Sequence, residues 1–243
     1  MSYIILLFAG ILAYIISTLS GGGGALVMLP IVGFYLSPSA VAPVVNLGNM
    51  IGRPVRLYLF WKHIDWSIVK YYVPSAILGA ITGGLIFVEL KADWLQILLG
   101  LFLISTVIQY RFGKKARSFA MKKTYFIPLG FGITLISALF GATGPILNPF
   151  YLNMGLMKES MIATKTANSF LAGIAMLSSY AFLGALHGEL WWYGLLIGIG
   201  ATIGNILGKR LLSKMTDELF RKVVIALMVV AGILMIAKSL WLD

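Results

Sequence analysis

Four polar residues, Asn46, Asn49, Arg53 and Arg56, follow one another at intervals of three, four and three positions. On a helix that spacing puts all four on one face. A later stretch, ATKTANS (163–169), places Thr164 four residues and Lys165 three residues before Asn168, again on one face. Each set joins a fixed cation to amide side chains, a pairing suited to recognising an anion by charge and by N–H hydrogen bonds. A glycine tract precedes each set: GGGGALVMLP (21–30) before the first and GATGPILNP (141–149) before the second. Glycine costs about 1 kcal/mol relative to alanine inside a helix, so both tracts read as helix breaks. A break exposes the N-terminus of the next half-helix, expected over 24–36 and 145–157, whose unpaired N–H groups and positive dipole end favour anions. The candidate binding residues are therefore Gly22, Gly23, Gly24, Asn46, Asn49, Arg53, Thr143, Gly144, Thr164, Lys165 and Asn168. The competing reading is tight packing for the glycines and interhelical hydrogen bonds for the asparagines. Arg56 lies closer to the end of its helix and is expected to snorkel to lipid headgroups.

The residues that are missing narrow the chemistry. All eight acids, Asp65, Glu89, Asp93, Glu159, Glu189, Asp217, Glu218 and Asp243, fall in expected loops or span ends. A carboxylate proton relay and a cation pore with an acidic ring are both disfavoured. The chain has no cysteine, which removes disulfides and thiolate metal sites. GGGG is not followed by the Gly-Lys-Ser/Thr of a P-loop. His63 and His187 sit in different loops, and no Ser-His-Asp arrangement is visible. No enzyme, metal or cofactor is expected.

The elements that must position these residues are helices in a membrane. Of 243 residues, 60% are hydrophobic and 11% charged, the composition of an all-α polytopic membrane protein. A span needs about 20 mostly apolar residues; clear ones run over 40–61, 68–88, 93–110, 159–184, 191–211 and 219–240. Two further apolar stretches, 3–36 and 125–157, are those the glycine tracts interrupt. The net charge of +11 resides between spans, which points to topology and anionic lipid rather than nucleic acid. Residues 3–19 are similar to a signal-peptide core, but no Lys or Arg precedes them, so they are expected to be retained.

The chain is written twice. The glycine tracts recur about 120 residues apart, GAITGG (79–84) returns as GATIGN (200–205), and HIDW (63–66) has an echo in HGELWW (187–192). The Gly79/Gly83 and Gly200/Gly204 spacings read as close helix packing. The stretch 111–123 carries six basic residues and no acid, so it is expected to be cytoplasmic. If 125–157 enters the membrane, turns at its glycines and returns, the basic 53–70 and 209–222 also fall inside. The loops 89–93 and 185–190, and both termini, then fall outside. The expected fold is two inverted repeats, each a glycine-tipped re-entrant helical hairpin plus three transmembrane helices. Residues 1–110 form the first repeat, 111–123 a basic cytoplasmic linker and 124–243 the second repeat. The tips would meet near the midplane, since irregular backbone at that depth must be buried in protein or line a cavity.

The glycine-rich tract leading to a proline, the Asn-bearing helix after it, HIDW opening the third span and the weaker second copy resemble the TauE/SafE sulfite exporter family over essentially the whole chain. The resemblance implies a prokaryotic-type inner-membrane, multi-pass transporter. Its cargo would be small organosulfur anions such as sulfite or sulfonates, with an exporter's direction. The partners expected are a small inorganic or organosulfur anion and membrane lipids, with homo-oligomerisation left open and no nucleic acid. An anion channel and a non-transporting membrane scaffold are the alternatives.

Overall fold

A computed structural model describes residues 2–33, 35–36, 38–86, 101, 104, 118–140, 144–182 and 184–241. The expected span 93–110 (apart from residues 101 and 104), loop 89–93, linker residues 111–117 and Gly141 to Thr143 lie outside these. The described residues form helices and no strand. In chain order they are α1 (Ser2–Leu19), α2 (Gly24–Gly33), α3 (Pro38–Phe60), α4 (Trp66–Ile86), α5 (Phe126–Phe140), α6 (Asn148–Asn153), α7 (Lys158–Phe182), α8 (Leu190–Leu212) and α9 (Asp217–Trp241). Short 3-10 turns occupy Trp61–His63, Lys123–Tyr125 and Gly144–Leu147. The expected spans 40–61, 68–88, 159–184, 191–211 and 219–240 correspond to α3, α4, α7, α8 and α9. By length and apolarity α4 and α8 can each cross a membrane.

The first glycine tract breaks the chain. Gly21, Gly22 and Gly23 have φ of 68°, 129° and 113°, a region L side chains avoid. The N–H of Gly22 donates to the carbonyl of Ser17 at 2.7 Å and closes the end of α1. The chain then folds back, so that Gly24 lies beside Ser17 and Ala13 of α1. α2 ends at Gly33, short of the expected 36. The second tract differs more. The expected half-helix over 145–157 is a 3-10 turn, Gly144–Leu147, followed by the short α6. Two prolines account for this. Pro145 has no N–H to give, and Pro149, in the first turn of α6, opposes a helical carbonyl four residues earlier. Gly155, at φ 84°, ends the segment.

Two helix crossings bring backbones together at small residues. A Cβ on Gly79 would lie 2.3 Å from the carbonyl oxygen of Phe131, and one on Gly83 2.8 Å from Cβ of Ala138, so α4 and α5 touch directly. A Cβ on Gly200 or Gly204 would lie 2.5 Å from the carbonyl oxygen of Leu7 or Ile11, giving α8 and α1 the same contact. Positions advance together along both pairs, so each pair is parallel. α3 also runs parallel to α8, with Leu47 against Gly194, Ile51 against Gly198 and the Gly52 carbonyl bonded to Asn205. α7 runs with α4, from the Thr164–Asp65 bond to the Ser179–Gly84 contact. Arg53 of α3 lies against Gly173 of α7, while Asp65, just after α3, meets Thr164 near the start of α7, so α3 and α7 are antiparallel; α1, α3 and α8 point one way, and α4, α5 and α7 the other.

HIDW has a local structural job. The Asp65 carboxylate accepts hydrogen bonds from the N–H and hydroxyl of Ser67, capping α4. Asp65, Glu159, Asp217 and Glu218 all sit at or beside helix starts, where a negative charge is favoured.

The crossings carry a prediction. Gly79→Ala should lower the thermal stability of the detergent-solubilised protein by about 1–3 kcal/mol, because a carbonyl cannot move aside as a flexible side chain can. Gly132→Ala, with open space around its would-be Cβ, should leave the melting curve unchanged. Equal melting of the two variants would contradict the close approach.

Candidate functional site

Where the two glycine tracts meet, a cavity of about 140 Å³ opens inside the protein. The approach is close: a Cβ on Gly144 would lie 3.3 Å from the amide nitrogen of Gly23, and one on Gly22 3.8 Å from the carbonyl oxygen of Gly144. Gly21 to Gly24 and Gly144 form one side of the cavity. α3 contributes Asn46, Asn49, Arg53 and Arg56; α7 contributes Lys165 and Asn168; α1 contributes Tyr14 and Ser17. Three cations thus converge, and no Asp or Glu is among the described lining residues.

The cations are held differently. Lys165 donates from Nζ to the carbonyl of Gly21 and to Oδ1 of Asn148, each at 2.5 Å. Arg56 donates from Nη1 to the hydroxyl and from Nη2 to the carbonyl of Ser17, each at 3.2 Å. Both therefore meet oxygens at the carbonyl end of α1, where the dipole favours a positive charge. Nε of Arg56 is buried and has no hydrogen-bond partner. Among the described residues, the hydrogen-bond partner of Arg53 is the Met50 sulfur, 3.3 Å from Nη1, a weak acceptor for a group with five N–H donors. It fits because α7 has a glycine opposite: a Cβ on Gly173 would lie 2.2 Å from Arg53 Nη1.

The amides are partly engaged. Asn49 Oδ1 accepts from the Tyr14 hydroxyl at 2.5 Å, and Asn46 donates to the carbonyl of Ala42 at 3.0 Å. Asn168 donates to the Tyr151 hydroxyl at 2.7 Å, while its Oδ1 is buried with no partner. The unpartnered Oδ1 of Asn168 is an acceptor, so toward an anion the useful capacity of these amides is their second N–H.

Of the residues expected from sequence, Gly22, Gly23, Gly24, Asn46, Asn49, Arg53, Gly144, Lys165 and Asn168 line this one cavity. Thr164 does not. It is fully buried, and its hydroxyl accepts the Asp65 N–H at 2.9 Å, tying α7 to the start of α4. Thr143 lies outside the described residues. Arg56 was expected at the headgroups, yet it turns inward to Ser17, because α1 ends beside it and the Ser17 carbonyl, which already accepts the Gly22 N–H, has a second lone pair to share. The sequence reading also passed over Tyr14, Ser17, Tyr72, Thr134, Ser137 and Ser169, which line the cavity, and Asn148, which holds Lys165. Tyr14 and Ser17 carried a signal: they are three apart, one turn before the glycines.

No solved structure matches the chain. Among curated proteins, it is 24% identical over 245 aligned positions to the probable membrane transporter protein YfcA of Escherichia coli K12, covering 98% of this chain and 89% of that protein. It is 27% identical over 250 aligned positions to the probable membrane transporter protein y4hK of Sinorhizobium fredii, covering 95% of this chain and 94% of that one. The family model described as "Sulfite exporter TauE/SafE" matches residues 6–235. With that match spanning nearly its whole length, this membrane protein belongs to the TauE/SafE sulfite exporter family.

Proposed function

We propose that the protein is a secondary transporter, working as an exporter, of small organosulfur anions such as sulfite or sulfonates, with the binding site in the cavity between the two glycine tracts. One observation carries this: three cations line a small, partly open cavity with no carboxylate among its described lining residues. Partly buried cations with no neutralising carboxylate are costly, and an anionic cargo is what would offset that cost. Arg53 is the primary ligand, because Lys165 and Arg56 already hold carbonyls of the first hairpin. The planar guanidinium gives paired N–H bonds to adjacent oxygens of a sulfur oxyanion. Asn46, Asn49 and Asn168 supply directional contacts. The start of α2 adds N–H groups that have no intrahelical partner. Nothing in this scheme calls for catalytic chemistry, a metal or a cofactor.

In this reading the halves, 1–110 and 124–243, are inverted repeats joined by the basic linker 111–123, each hairpin being re-entrant. The helix directions support it: α1 and α3 run opposite to α5 and α7, and α4 opposite to α8. The partner exchange supports it too, since α1 packs on α8 while α5 packs on α4. Rocking one half against the other would expose the cavity to each face in turn. In the cysteine-free chain, Lys115→Cys and Lys214→Cys should react only from the cytoplasmic side and His187→Cys only from outside. Labelling of 115 and 214 from opposite faces would sink the inversion.

Proteoliposome flux tests the function. Sulfite uptake should saturate and accelerate when the opposite side is loaded with sulfite. Flux without counter-exchange would favour an anion channel. No flux with sulfite, sulfonates, thiosulfate, sulfate or carboxylates would favour a non-transporting scaffold.

A further inference from the structure

Lys165 is placed as a bound cation would be. Its ammonium touches one oxygen from each tract, the Gly21 carbonyl and Oδ1 of Asn148. Asn148 is itself tethered, donating from Nδ2 to the carbonyl of Ser20 at 3.4 Å. Ser20 and Gly21 follow the last residue of α1, so their carbonyls have no helical partner and lie at the negative end of its dipole. A backbone carbonyl at the end of an interrupted membrane helix, joined by an amide oxygen, is part of the oxygen set that carriers offer to a hard coupling cation. Here a side chain enters that position. The backbone is cut to admit it: at Gly22 a Cβ would lie 2.5 Å from Lys165 Nζ. Met161, one turn earlier on α7, lies against Gly21, where an added Cβ would sit 2.9 Å from its Cε, and so helps fix the approach.

We propose that the Lys165 ammonium is a tethered replacement for a free coupling cation. It fills a cation site made by the Gly21 carbonyl and the Asn148 side chain, so the adjoining cavity accepts its anion without Na⁺ or K⁺. The inference rests on the cavity being the anion site. A co-bound alkali ion would attract the anion and cross with it. A tethered ammonium attracts the anion equally but cannot be released to either side. It therefore leaves an alkali gradient with nothing to drive. Removing the side chain vacates an oxygen-lined space that a small alkali ion can enter.

The test uses the purified full chain and Lys165→Ala, with sodium gluconate or N-methylglucamine gluconate as the only salt. Without any sulfite, wild type should melt at the same temperature in both. Lys165→Ala should melt lower in N-methylglucamine and recover by about 3 °C with saturable dependence on Na⁺, as expected of a ligand bound to the folded state. Radiolabelled sulfite uptake into proteoliposomes gives the second arm. Wild-type uptake should be insensitive to replacement of Na⁺ and K⁺, and Lys165→Ala uptake should rise about tenfold when Na⁺ is supplied, the size of a cation-site contribution of about 1.4 kcal/mol. Wild-type uptake that collapses without alkali ions would overturn the proposal, with no variant needed. So would a folded Lys165→Ala indifferent to Na⁺ in both melting and uptake. Absence of sulfite uptake in every salt would instead remove the transport reading, and the melting arm would still decide whether Lys165 occupies a cation site.

Discussion

Arg53→Gln should reduce sulfite affinity by about 30-fold or more, the effect of removing one partner from a buried charge pair at roughly 2–5 kcal/mol. The reason is its lack of competing partners. Arg53 meets a thioether, whereas Arg56 and Lys165 meet carbonyl oxygens they would have to share with the cargo. Arg53→Lys should be intermediate, keeping the charge and losing the planar fork. The stability of the empty protein supplies an independent signature. A partly buried cation with a poor partner is a cost to its own fold, so Arg53→Gln should melt no lower than wild type in the absence of anions. A variant that loses affinity only because it unfolds would show the opposite.

Gly22→Val should abolish transport in a protein that still inserts into the membrane. The native φ of 129° disfavours any L side chain, and a β-branched one most. The strain is about 1–3 kcal/mol, and relief requires the tract to move. The new side chain would also displace the Lys165 ammonium. Gly144→Ala should be milder and still harmful, since its Cβ would press on the Gly23 amide at 3.3 Å. Gly33→Ala, with nothing within 4 Å of its would-be Cβ, should transport normally. Uptake and membrane insertion, measured on the same samples, check all three. If Gly22→Val transports at wild-type rate, the tract only packs helices.

Much of the helical layout was legible because long apolar runs in a membrane protein have few alternatives to helix. The face shared by Asn46, Asn49 and Arg53 was legible from spacing alone. Arg56 was misplaced because position along α3 says nothing about which foreign carbonyl lies beside it; only the folding back of α1 puts Ser17 there. Thr164 stands apart from the cavity for a related reason. Four residues from Asn168, it shares a broad helix face with it, yet it sits at the edge that meets the start of α4. Asn148 carries no comparable signal in its tract, because its role depends on the proline-broken path around Pro145 and Pro149. Each of these needs a long-range contact that one sequence does not display.

The central claim is that the cavity between the glycine tracts binds a small anion through Arg53. Calorimetric titration of sulfite into purified wild type and Arg53→Gln measures this directly. Saturable one-site binding to wild type, weakened about 30-fold or more in Arg53→Gln, is the expected result. Equal binding to both proteins would place the site elsewhere, and no saturable binding to wild type by sulfite, sulfonates or thiosulfate would contradict the account.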